Sequence, residues 1–416
     1  MYKFKLILVQ FQNTSCTISK YYLLLHYMKV IKRQIYKAIR EYQKKYPILA
    51  LTGPRQSGKT TLLKTLFPDY RYISLENPDN RDFALSDPNG FLAQYDDRVI
   101  FDEVQQAPAI FSYLQTIVDS RTDRMGGFIL SGSQNFHLME RITQSLAGRV
   151  AIFKLLPLDS KELSAANLLT TDPFDQLIHG FYPAIYDRNI PPSAFYSNYI
   201  QTYVNRDVKE LMMVRDLRQF QNFLSLCAAR AGQLLNLSAL ANAAGITQPT
   251  AKSWLSALES SYITFQLYPF HKNFSKRVVK TPKLYFYDTG LLCHLLKITK
   301  RETLLTHPVK GALFENMMVA EFFKQMHHSY QNQSPWFWRD NHGDEVDLLL
   351  DNGTTLDIFE IKASETILTE NFKGMEKFES ISTIPLSSKG LIYAGSLNQK
   401  RSYGNVISWR DFPIFS

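Results

Sequence analysis

The sequence predicts an α/β fold whose first domain is a parallel β-sheet with helices on both faces. Short apolar segments alternate with amphipathic segments from Ile48 to about Leu158, which is typical of strands and helices that alternate along a chain. A glycine-rich loop directly follows the first apolar segment, where a strand would meet a helix. A second group of strand-like segments, between residues 336 and 362, predicts a separate C-terminal α/β domain.

The glycine-rich loop has the sequence Gly-Pro-Arg-Gln-Ser-Gly-Lys-Thr over residues 53–60, after the apolar segment Ile48–Thr52. The pattern G-x-x-x-x-G-K-[ST] in this context predicts a phosphate-binding loop, because its glycines let backbone N–H groups point at a triphosphate. The N-terminus of the following helix adds a partial positive charge. We therefore predict that the chain binds a nucleotide through Gly53, Pro54, Arg55, Gln56, Ser57, Gly58, Lys59, Thr60 and Thr61.

Two acidic residues complete the predicted nucleotide site. In such a loop Lys59 reaches the β- and γ-phosphates, and Thr60 offers its hydroxyl to Mg²⁺. The apolar segment Arg98–Phe101 ends in Asp102 and Glu103. If it is a parallel neighbour of the first strand, Asp102 lies near Thr60 and holds Mg²⁺ through water. Glu103 is then placed to polarise the attacking water, which favours hydrolysis over binding alone.

Three further polar residues are candidates for contact with the γ-phosphate. The apolar segment Gly127–Leu130 ends in a polar tip, where Ser133 and Asn135 could each sense the γ-phosphate, and the sequence does not choose between them. Arg149 is a candidate for a charge-stabilising arginine finger, in its own subunit or in a neighbour's. A surface salt bridge is an equally good interpretation of Arg149.

The composition describes a globular protein of a reducing compartment. Hydrophobic residues make up 45% of the chain and charged residues 20%, which is ordinary for globular proteins. The three cysteines, Cys16, Cys227 and Cys293, form no C-x-x-C pair, which argues against a disulfide or zinc framework. No apolar run approaches the ~20 residues of a membrane span. We therefore expect a cytoplasmic protein without a membrane partner.

The net charge of +9 is concentrated near the N-terminus. Residues 1–47 contain ten basic residues and one acidic residue, whereas the remainder contains 37 of each. Global charge is therefore no argument for a DNA-binding surface on the main body. We set residues 1–27 apart as an N-terminal extension, because Met28 opens an amphipathic helix that runs to about Lys45. The length predicts about three domains, beginning with a nucleotide-binding core over residues 28–160 and a helical linker or lid over residues 161–217.

Residues 218–290 have the pattern of a winged helix-turn-helix. Gly245 follows the helical segment Leu237–Ala244, and Thr247 can cap a second helix that extends to Ser260. This second helix presents polar residues that can touch phosphates or bases. The next segment contains five cations and no acid, which predicts a basic wing that contacts DNA; these are Lys272, Lys276, Arg277, Lys280 and Lys283. Packing of the module against protein is the alternative.

A second chemical site is predicted in the C-terminal domain, over residues 291–416. Glu315 lies in a helix, and Glu360 and Lys362 share one face of a strand because side chains alternate. Asp347, on the neighbouring antiparallel strand, can lie beside Glu360. These carboxylates suit Mg²⁺ or Mn²⁺, and Lys362 could position a water for attack on a phosphodiester. A half-exposed hairpin with mixed charges is the alternative interpretation.

Two sets of motifs carry a resemblance that covers nearly the whole chain from Met28 onward. The set GPRQSGKT, VIFDE, LSGSQN, LAGR and PLDSKE resembles the compact AAA-type ATPases of bacteria and archaea. The set KTPKLYFYDTGL, GALFEN, DEVDLLL and FEIK is similar to the C-terminal domain that accompanies them, which resembles the PD-(D/E)XK nuclease-like superfamily. The resemblance implies ATP as the nucleotide and a restriction-endonuclease-like fold at the C-terminus.

Four residues match the superfamily pattern, and one feature departs from it. The matching residues are Glu315, Asp347, Glu360 and Lys362. The proline–aspartate pair that names the superfamily is absent, and Glu345-Val346 precedes Asp347 instead.

Two functions are consistent with these motifs. In the first, ATP binding or hydrolysis controls a metal-dependent nuclease that acts on DNA. In the second, the protein is an ATPase switch, regulator or scaffold whose C-terminal domain binds DNA or a protein partner without cleaving it. A homo-oligomer is compatible with both functions.

Overall fold

The computed structural model describes residues 31–121, 123–133, 145–204, 216–271, 280–331 and 333–412. The predicted extension over residues 1–27 and the alternative sensor Asn135 lie outside these ranges. Three members of the predicted basic wing also lie outside them, namely Lys272, Lys276 and Arg277. No helix within the described ranges is long and apolar enough to cross a membrane.

A five-stranded parallel sheet forms the N-terminal part of the fold, in the spatial order β2-β3-β4-β1-β5. The central strand β1 pairs with β4 and β5, and β3 pairs with β2 and β4. All pairs are parallel, so the loops that follow β1 and β3 emerge at the same edge of the sheet. The strands are β1 (Ile48–Thr52), β2 (Arg71–Ser74), β3 (Val99–Asp102), β4 (Phe128–Gly132) and β5 (Val150–Lys154).

Helices cover both faces of this sheet. Ile48 and Ala50 belong to a hydrophobic cluster that includes the helix Ile110–Ser120. Leu49 and Leu51 belong to a different cluster, which includes the helix Lys59–Leu66. Alternate residues of a strand point to opposite faces of the sheet, so the two clusters lie on opposite sides. The predicted fold class, a parallel sheet with helices on both faces, is confirmed.

The helices around the sheet differ in places from the sequence prediction. A helix is predicted over residues 28–45. Within the described part of this range, the helix spans only Tyr36–Tyr42. The predicted helical linker contains, between residues 172 and 188, two short helices that each begin with a proline. Proline is tolerated there because the first N–H groups of a helix have no helical partner. The remaining helices up to residue 204 are Pro78–Ser86, Pro88–Gln94, Ser160–Ala165, Pro173–His179, Pro183–Asp187, Pro192–Tyr199, a 3₁₀ turn Val104–Gln106 and a π-helical segment Ile200–Val204.

The middle of the chain contains three helices and a two-stranded antiparallel pair. The helices are Leu217–Ala228, Leu237–Ala244 and Gln248–Ser260, and the strands are β6 (Thr264–Leu267) and β7 (Lys283–Phe286). Gly245 ends the second helix in the left-handed conformation, with φ of 67°. The Thr247 side chain caps the third helix by accepting a hydrogen bond from the N–H of Thr250. The order of helices and their caps are as predicted.

The C-terminal region contains a six-stranded mixed sheet in the order β12-β13-β11-β10-β9-β8. Strands β9 and β10 form the predicted antiparallel hairpin around Asp351–Gly353. The long helix Lys310–His328 packs on one face, and the helix Lys373–Ile381 packs on the other. The strands are β8 (Pro335–Arg339), β9 (Glu345–Asp351), β10 (Leu356–Lys362), β11 (Leu386–Tyr393), β12 (Gln399–Arg401) and β13 (Gly404–Ser408), and the remaining helices are Thr289–Leu295, Arg301–Thr306 and a 3₁₀ turn Thr369–Phe372.

The long helix Lys310–His328 also contacts the end of the N-terminal sheet. The Ser160 N–H donates a hydrogen bond of 2.7 Å to Glu321, and Gln325 donates one of 3.1 Å to the Ser160 hydroxyl. Lys324 donates to the carbonyl of Leu158 at 3.0 Å. All three helix side chains are buried, so their polar groups bind the N-terminal region instead of water.

Candidate nucleotide site and C-terminal carboxylate cluster

The backbone of the glycine-rich loop requires glycine at its two ends. Gly53 has φ of 149°, and a Cβ atom there would lie 2.1 Å from the carbonyl oxygen of Leu155. Gly58 caps the helix Lys59–Leu66 with φ of 94°. Both φ values lie in the region that favours glycine. The loop therefore has the tight curvature that the motif predicts.

Lys59 is buried and turned back onto its own loop. Its Nζ atom donates hydrogen bonds of 2.9 Å to the carbonyl oxygens of Gly53 and Pro54. The side chain thus spans the concave side of the loop, where the motif places the phosphates. Contact between Lys59 and a phosphate would exchange these carbonyl partners for phosphate oxygens.

Asp102 lies at the centre of a hydrogen-bond network at the end of β3. The Thr60 hydroxyl donates to Asp102 Oδ2 at 3.0 Å, as the parallel pairing of the strands predicts. The hydroxyls of Tyr72 and Ser131 also donate to the Asp102 carboxylate. Burial, followed by the hydrogen bond to Asp102, raises the pKa of the Tyr72 hydroxyl, so Tyr72 remains a neutral donor.

Glu103 is held in a strained and defined position next to Asp102. Its φ of 52° is left-handed, which is uncommon for a residue with a side chain. Its Oε2 atom accepts hydrogen bonds from the Ser133 hydroxyl at 2.9 Å and from Gln105 at 2.5 Å. Ser133, a predicted sensor, therefore contacts Glu103 directly at the site.

The predicted role of Arg149 as an arginine finger in its own subunit is wrong. Arg149 directly precedes β5, whose first residue pairs with Ile48 at the start of β1. The phosphate loop follows the other end of β1, so the length of a five-residue strand, roughly 16 Å, separates them. Arg149 instead forms an ion pair with Asp119, with contacts of 2.5 and 2.8 Å.

A cavity of about 1180 Å³ opens over the phosphate loop. Its walls include Lys59, Thr60, Asp102 and Glu103, which the motifs predicted. It is also lined by residues that no motif marks, including Ile31, Arg33, Tyr36, Pro183 and Arg188. These come from segments before and after the sheet, and short-range patterns in the sequence carry no signal for them. The donors and oxygen ligands present fit a magnesium-bound nucleoside triphosphate.

The second predicted site contains a buried ammonium group. Lys283 Nζ lies 2.8 Å from Glu315 Oε1 and 3.8 Å from Asp347 Oδ1, and it also pairs with Glu345. Burial alone would lower the pKa of Lys283, but Glu315, Tyr285 and Asp347 raise it well above the usual value. Lys283 therefore stays charged. The prediction that Lys283 belongs to an exposed basic wing is wrong, because the side chain is only 3% exposed.

The carboxylates that meet at Lys283 differ in one member from the predicted metal site. Glu315, Glu345 and Asp347 bring ligand atoms within 4.8 Å of one another, whereas Glu345 was noted only as a departure from the motif. Glu360 instead accepts a hydrogen bond of 2.5 Å from Lys362, which confirms that these two side chains share a strand face. Asp347 accepts a hydrogen bond from the N–H of Ile361 at 2.9 Å.

Burial controls the acidity of the two strand carboxylates. It raises the pKa of Asp347 well above the usual value, with further contributions from Glu360 and Glu315. It also raises the pKa of Glu360 to about 7, against the lowering effect of Lys362. Negative charge in this cluster is therefore costly, and the ammonium of Lys283 is the buried cation that balances it among the described residues.

Three segments of the chain match known families. Residues 45–164 match a family described as an AAA domain. Residues 170–302 match a domain of unknown function, DUF8612, and residues 310–412 match another, DUF4143.

Two curated proteins are similar over most of the chain. They are the uncharacterized protein Rv2008c of Mycobacterium tuberculosis and the uncharacterized protein Mb2031c of Mycobacterium bovis. Each is 31% identical over 345 residues, which covers 82% of this chain and 75% of the relative.

The solved structures that match this chain have a lower sequence identity to it than the two curated proteins. A Walker-type ATPase of Pyrococcus abyssi has a TM-score of 0.40 and 14% identity, and the match covers 63% of this chain and 95% of that one. The ORC2 protein of Aeropyrum pernix, in its ADP form, has a TM-score of 0.32 and 16% identity, with 56% and 86% coverage.

The parallel sheet, the phosphate loop and the AAA-domain match identify residues 45–164 as a P-loop domain of the AAA type. The chain belongs to the same family as the two uncharacterized mycobacterial proteins.

We expect Lys283→Met to reduce the free energy of unfolding by roughly 3 kcal/mol, because it leaves three neighbouring carboxylates without their cation. The loss should be smaller at pH 5 than at pH 8, since protonation of the carboxyl groups removes the uncompensated charge. Urea unfolding at both pH values measures the effect. Lys280→Met, a matched change at an exposed position, should leave stability nearly unchanged. Equal stability of the two variants would contradict a structural role for Lys283.

Proposed function

We propose that this protein hydrolyses ATP with Mg²⁺ at the cavity over the phosphate loop. The observation that carries the proposal is the 3.0 Å hydrogen bond between Thr60 and Asp102, with Glu103 as the next residue. A hydroxyl and a carboxylate at this spacing are the protein groups that hold Mg²⁺ in P-loop ATPases. Bound Mg²⁺ would neutralise negative charge on the phosphates.

The residues of the site divide the proposed reaction between them. The N–H groups of the loop and the Lys59 ammonium bind the phosphates and orient them. Glu103 accepts a hydrogen bond from the attacking water and directs its lone pair toward the γ-phosphate. Ser133 and Gln105 fix the Glu103 carboxylate, so its direction is set before the nucleotide arrives. This arrangement supports hydrolysis in addition to binding.

We expect Lys59→Ala to abolish measurable ATP binding, because it removes the buried cation of the loop. Glu103→Gln should retain ATP binding but lower the hydrolysis rate by about 100-fold or more, since an amide cannot act as a base. Calorimetric titration with ATP and a phosphate-release assay separate the two effects. Glu41→Gln, a matched change at an exposed position, serves as the control. Equal ATP affinity of wild type and Lys59→Ala would refute the assignment.

We propose DNA as the partner of the middle region. The helix Gln248–Ser260 exposes Gln248, Lys252 and Ser256 on the side opposite its buried Trp254. Such groups can contact phosphates and base edges. Lys280, which follows this helix by 20 residues in the sequence, is also exposed. The burial of Lys283 removes one of the five cations first assigned to this surface, so we expect a modest phosphate contact.

Replacing Lys252 and Lys280 together with glutamine should weaken DNA binding and reduce its dependence on salt. Each lost phosphate contact is expected to reduce the slope of log K against log salt concentration by about 0.9. Fluorescence anisotropy with a labelled duplex at several salt concentrations gives this slope. Lys44→Gln with Lys45→Gln makes the same charge change at exposed positions that follow the helix Tyr36–Tyr42 and is the control. An unchanged slope in the Lys252/Lys280 variant would indicate that the module packs against protein.

We further propose that the C-terminal region binds DNA or a protein partner and does not cleave nucleic acid. The ammonium of Lys283 lies among Glu315, Glu345 and Asp347, where a hard cation would need the same oxygens. This favours the ATPase switch or scaffold over the ATP-controlled nuclease. The pairing of Glu360 with Lys362 favours the nuclease as the second candidate.

Incubation of the full chain with plasmid, single-stranded and branched DNA distinguishes these two functions. With Mg²⁺ or Mn²⁺, and with or without ATP, we expect no cleavage. Cleavage that is lost in Glu360→Gln, while ATP hydrolysis is retained, would establish the nuclease function instead.

A further inference from the structure

Arg33 connects the phosphate loop to two distant parts of the chain. One guanidinium nitrogen donates to the carbonyl of Ser57 at 2.8 Å, and a second donates to the carbonyl of Leu156 at 2.7 Å. The Nε atom contacts both oxygens of Glu162 at 3.0 Å. The second nitrogen also lies 3.2 Å from His328 Nε2. Arg33 is buried, with only 7% of its surface exposed.

The bond to Ser57 fixes the orientation of one peptide group in the loop. In a planar trans peptide, the carbonyl of Ser57 and the N–H of Gly58 point in opposite directions. Because Arg33 holds the carbonyl, the N–H of Gly58 points away from the guanidinium. Rotation of this peptide would aim an N–H dipole at a buried cation, which is unfavourable. Arg33 therefore stabilises one arrangement of the phosphate-binding N–H groups.

His328 brings the C-terminal region into the same network. It is the last residue of the long helix Lys310–His328, and its Nδ1 atom lies 2.7 Å from Asp159 Oδ2. Burial alone would raise the pKa of Asp159, but His328 and the N–H of Glu162 lower it. Because a guanidinium can only donate, Nε2 of His328 accepts from Arg33, and the tautomer that this contact requires has Nδ1 donating to Asp159.

A second contact reaches the opposite end of the loop. The hydroxyl of Tyr262, which follows the helix Gln248–Ser260, donates to Thr52 Oγ1 at 2.7 Å. Thr52 is the last residue of β1, and its hydroxyl donates in turn to the carbonyl of Phe153 at 3.2 Å. Both contacts are buried. The middle region therefore binds one end of the nucleotide-binding segment directly, whereas the C-terminal region reaches the other end through Arg33.

We propose that Arg33 is a positioning residue that couples ATP binding to the arrangement of the long helix Lys310–His328. The inference rests on the proposed ATP site. If the helix end carrying His328 shifts, Arg33 loses an acceptor and its hold on the Ser57 peptide changes. By linkage, the free energy by which the position of the helix end changes ATP binding equals the free energy by which ATP binding changes the position of the helix end. The same guanidinium serves both sites, so the coupling needs no other intermediary.

A double-mutant cycle on ATP affinity tests this coupling. Arg33→Lys keeps a positive charge beside Glu162, but its donors all lie on one nitrogen and cannot replace the separate Nε, Nη1 and Nη2 atoms that reach Glu162, Ser57 and His328. We expect Arg33→Lys and His328→Leu each to weaken ATP binding about fivefold or more. The double variant should be no weaker than Arg33→Lys alone, since both changes break the same connection. Calorimetric titration with ATP gives all four dissociation constants.

Gln325→Leu is the matched control, because Gln325 binds Ser160 from the same helix face without contacting Arg33. It should leave ATP affinity within about twofold of wild type. Equal effects of Gln325→Leu and His328→Leu would overturn the proposal and assign the effect to helix docking in general. Multiplicative effects of Arg33→Lys and His328→Leu would also overturn it.

Hydrogen exchange provides a readout that does not depend on the Arg33 variant. In folded His328→Leu protein, amides of residues 53–60 should exchange faster than in wild type, and in Gln325→Leu they should not. Addition of ATP to wild type should slow exchange at residues 324–331. If wild type binds ATP but neither difference in hydrogen exchange is seen, the proposed coupling is overturned and the proposed ATP site is not. Failure of wild type to bind ATP would instead refute the proposed function.

Discussion

The burial of the Arg33 guanidinium is the interaction on which the arrangement of the N-terminal half depends. A buried cation is tolerated only when its hydrogen-bond donors are satisfied and its charge is balanced. Glu162 supplies the charge, and the carbonyls of Ser57 and Leu156 supply acceptors. These acceptors come from the phosphate loop and from the segment after β5. Their mutual position is therefore set by the fixed geometry of one planar side chain.

The opposite end of the long C-terminal helix depends on a second buried cation. Glu315, near the start of the helix, pairs with Lys283, and His328, at its end, contacts Arg33. The helix thus joins a lysine-centred cluster to an arginine-centred one over roughly 20 Å, at 1.5 Å per residue. A helix is rigid over this length, so the two clusters cannot move independently.

The parts of the molecule that sequence predicted best are those whose determinants lie close together in the chain. The phosphate loop, the Thr247 cap and the β9–β10 hairpin each depend on a few adjacent residues. Asp102 was also found, because parallel strands bring their C-terminal ends together. Lys283 was misassigned because it follows four other cations in the sequence, whereas its partners are 32 or more residues away. Arg33 and Tyr262 carry no local signal at all, since their roles arise only from long-range contacts.

The failed assignment of Arg149 has a similar cause. A motif gives the type of residue but not the edge of the sheet on which it lies, and Arg149 stands at the start of a strand. Glu345 illustrates the converse case. It was treated as a departure from a motif, but its place on β9 beside Lys283 makes it a member of the carboxylate cluster. In both cases the register of the strands, and not the residue type, determines the environment.

The left-handed backbone at Glu103 means that folding and the proposed hydrolysis favour different residues at one position. A non-glycine residue in this conformation costs on the order of 1–3 kcal/mol, and glycine would adopt it without a side-chain clash. Glycine, however, has no carboxylate to direct toward a water molecule. A population selected only for thermal stability would therefore lose glutamate here, whereas one selected for ATP hydrolysis would keep it. Under the proposed mechanism, the identity of residue 103 in relatives reports whether a lineage still depends on the chemical step.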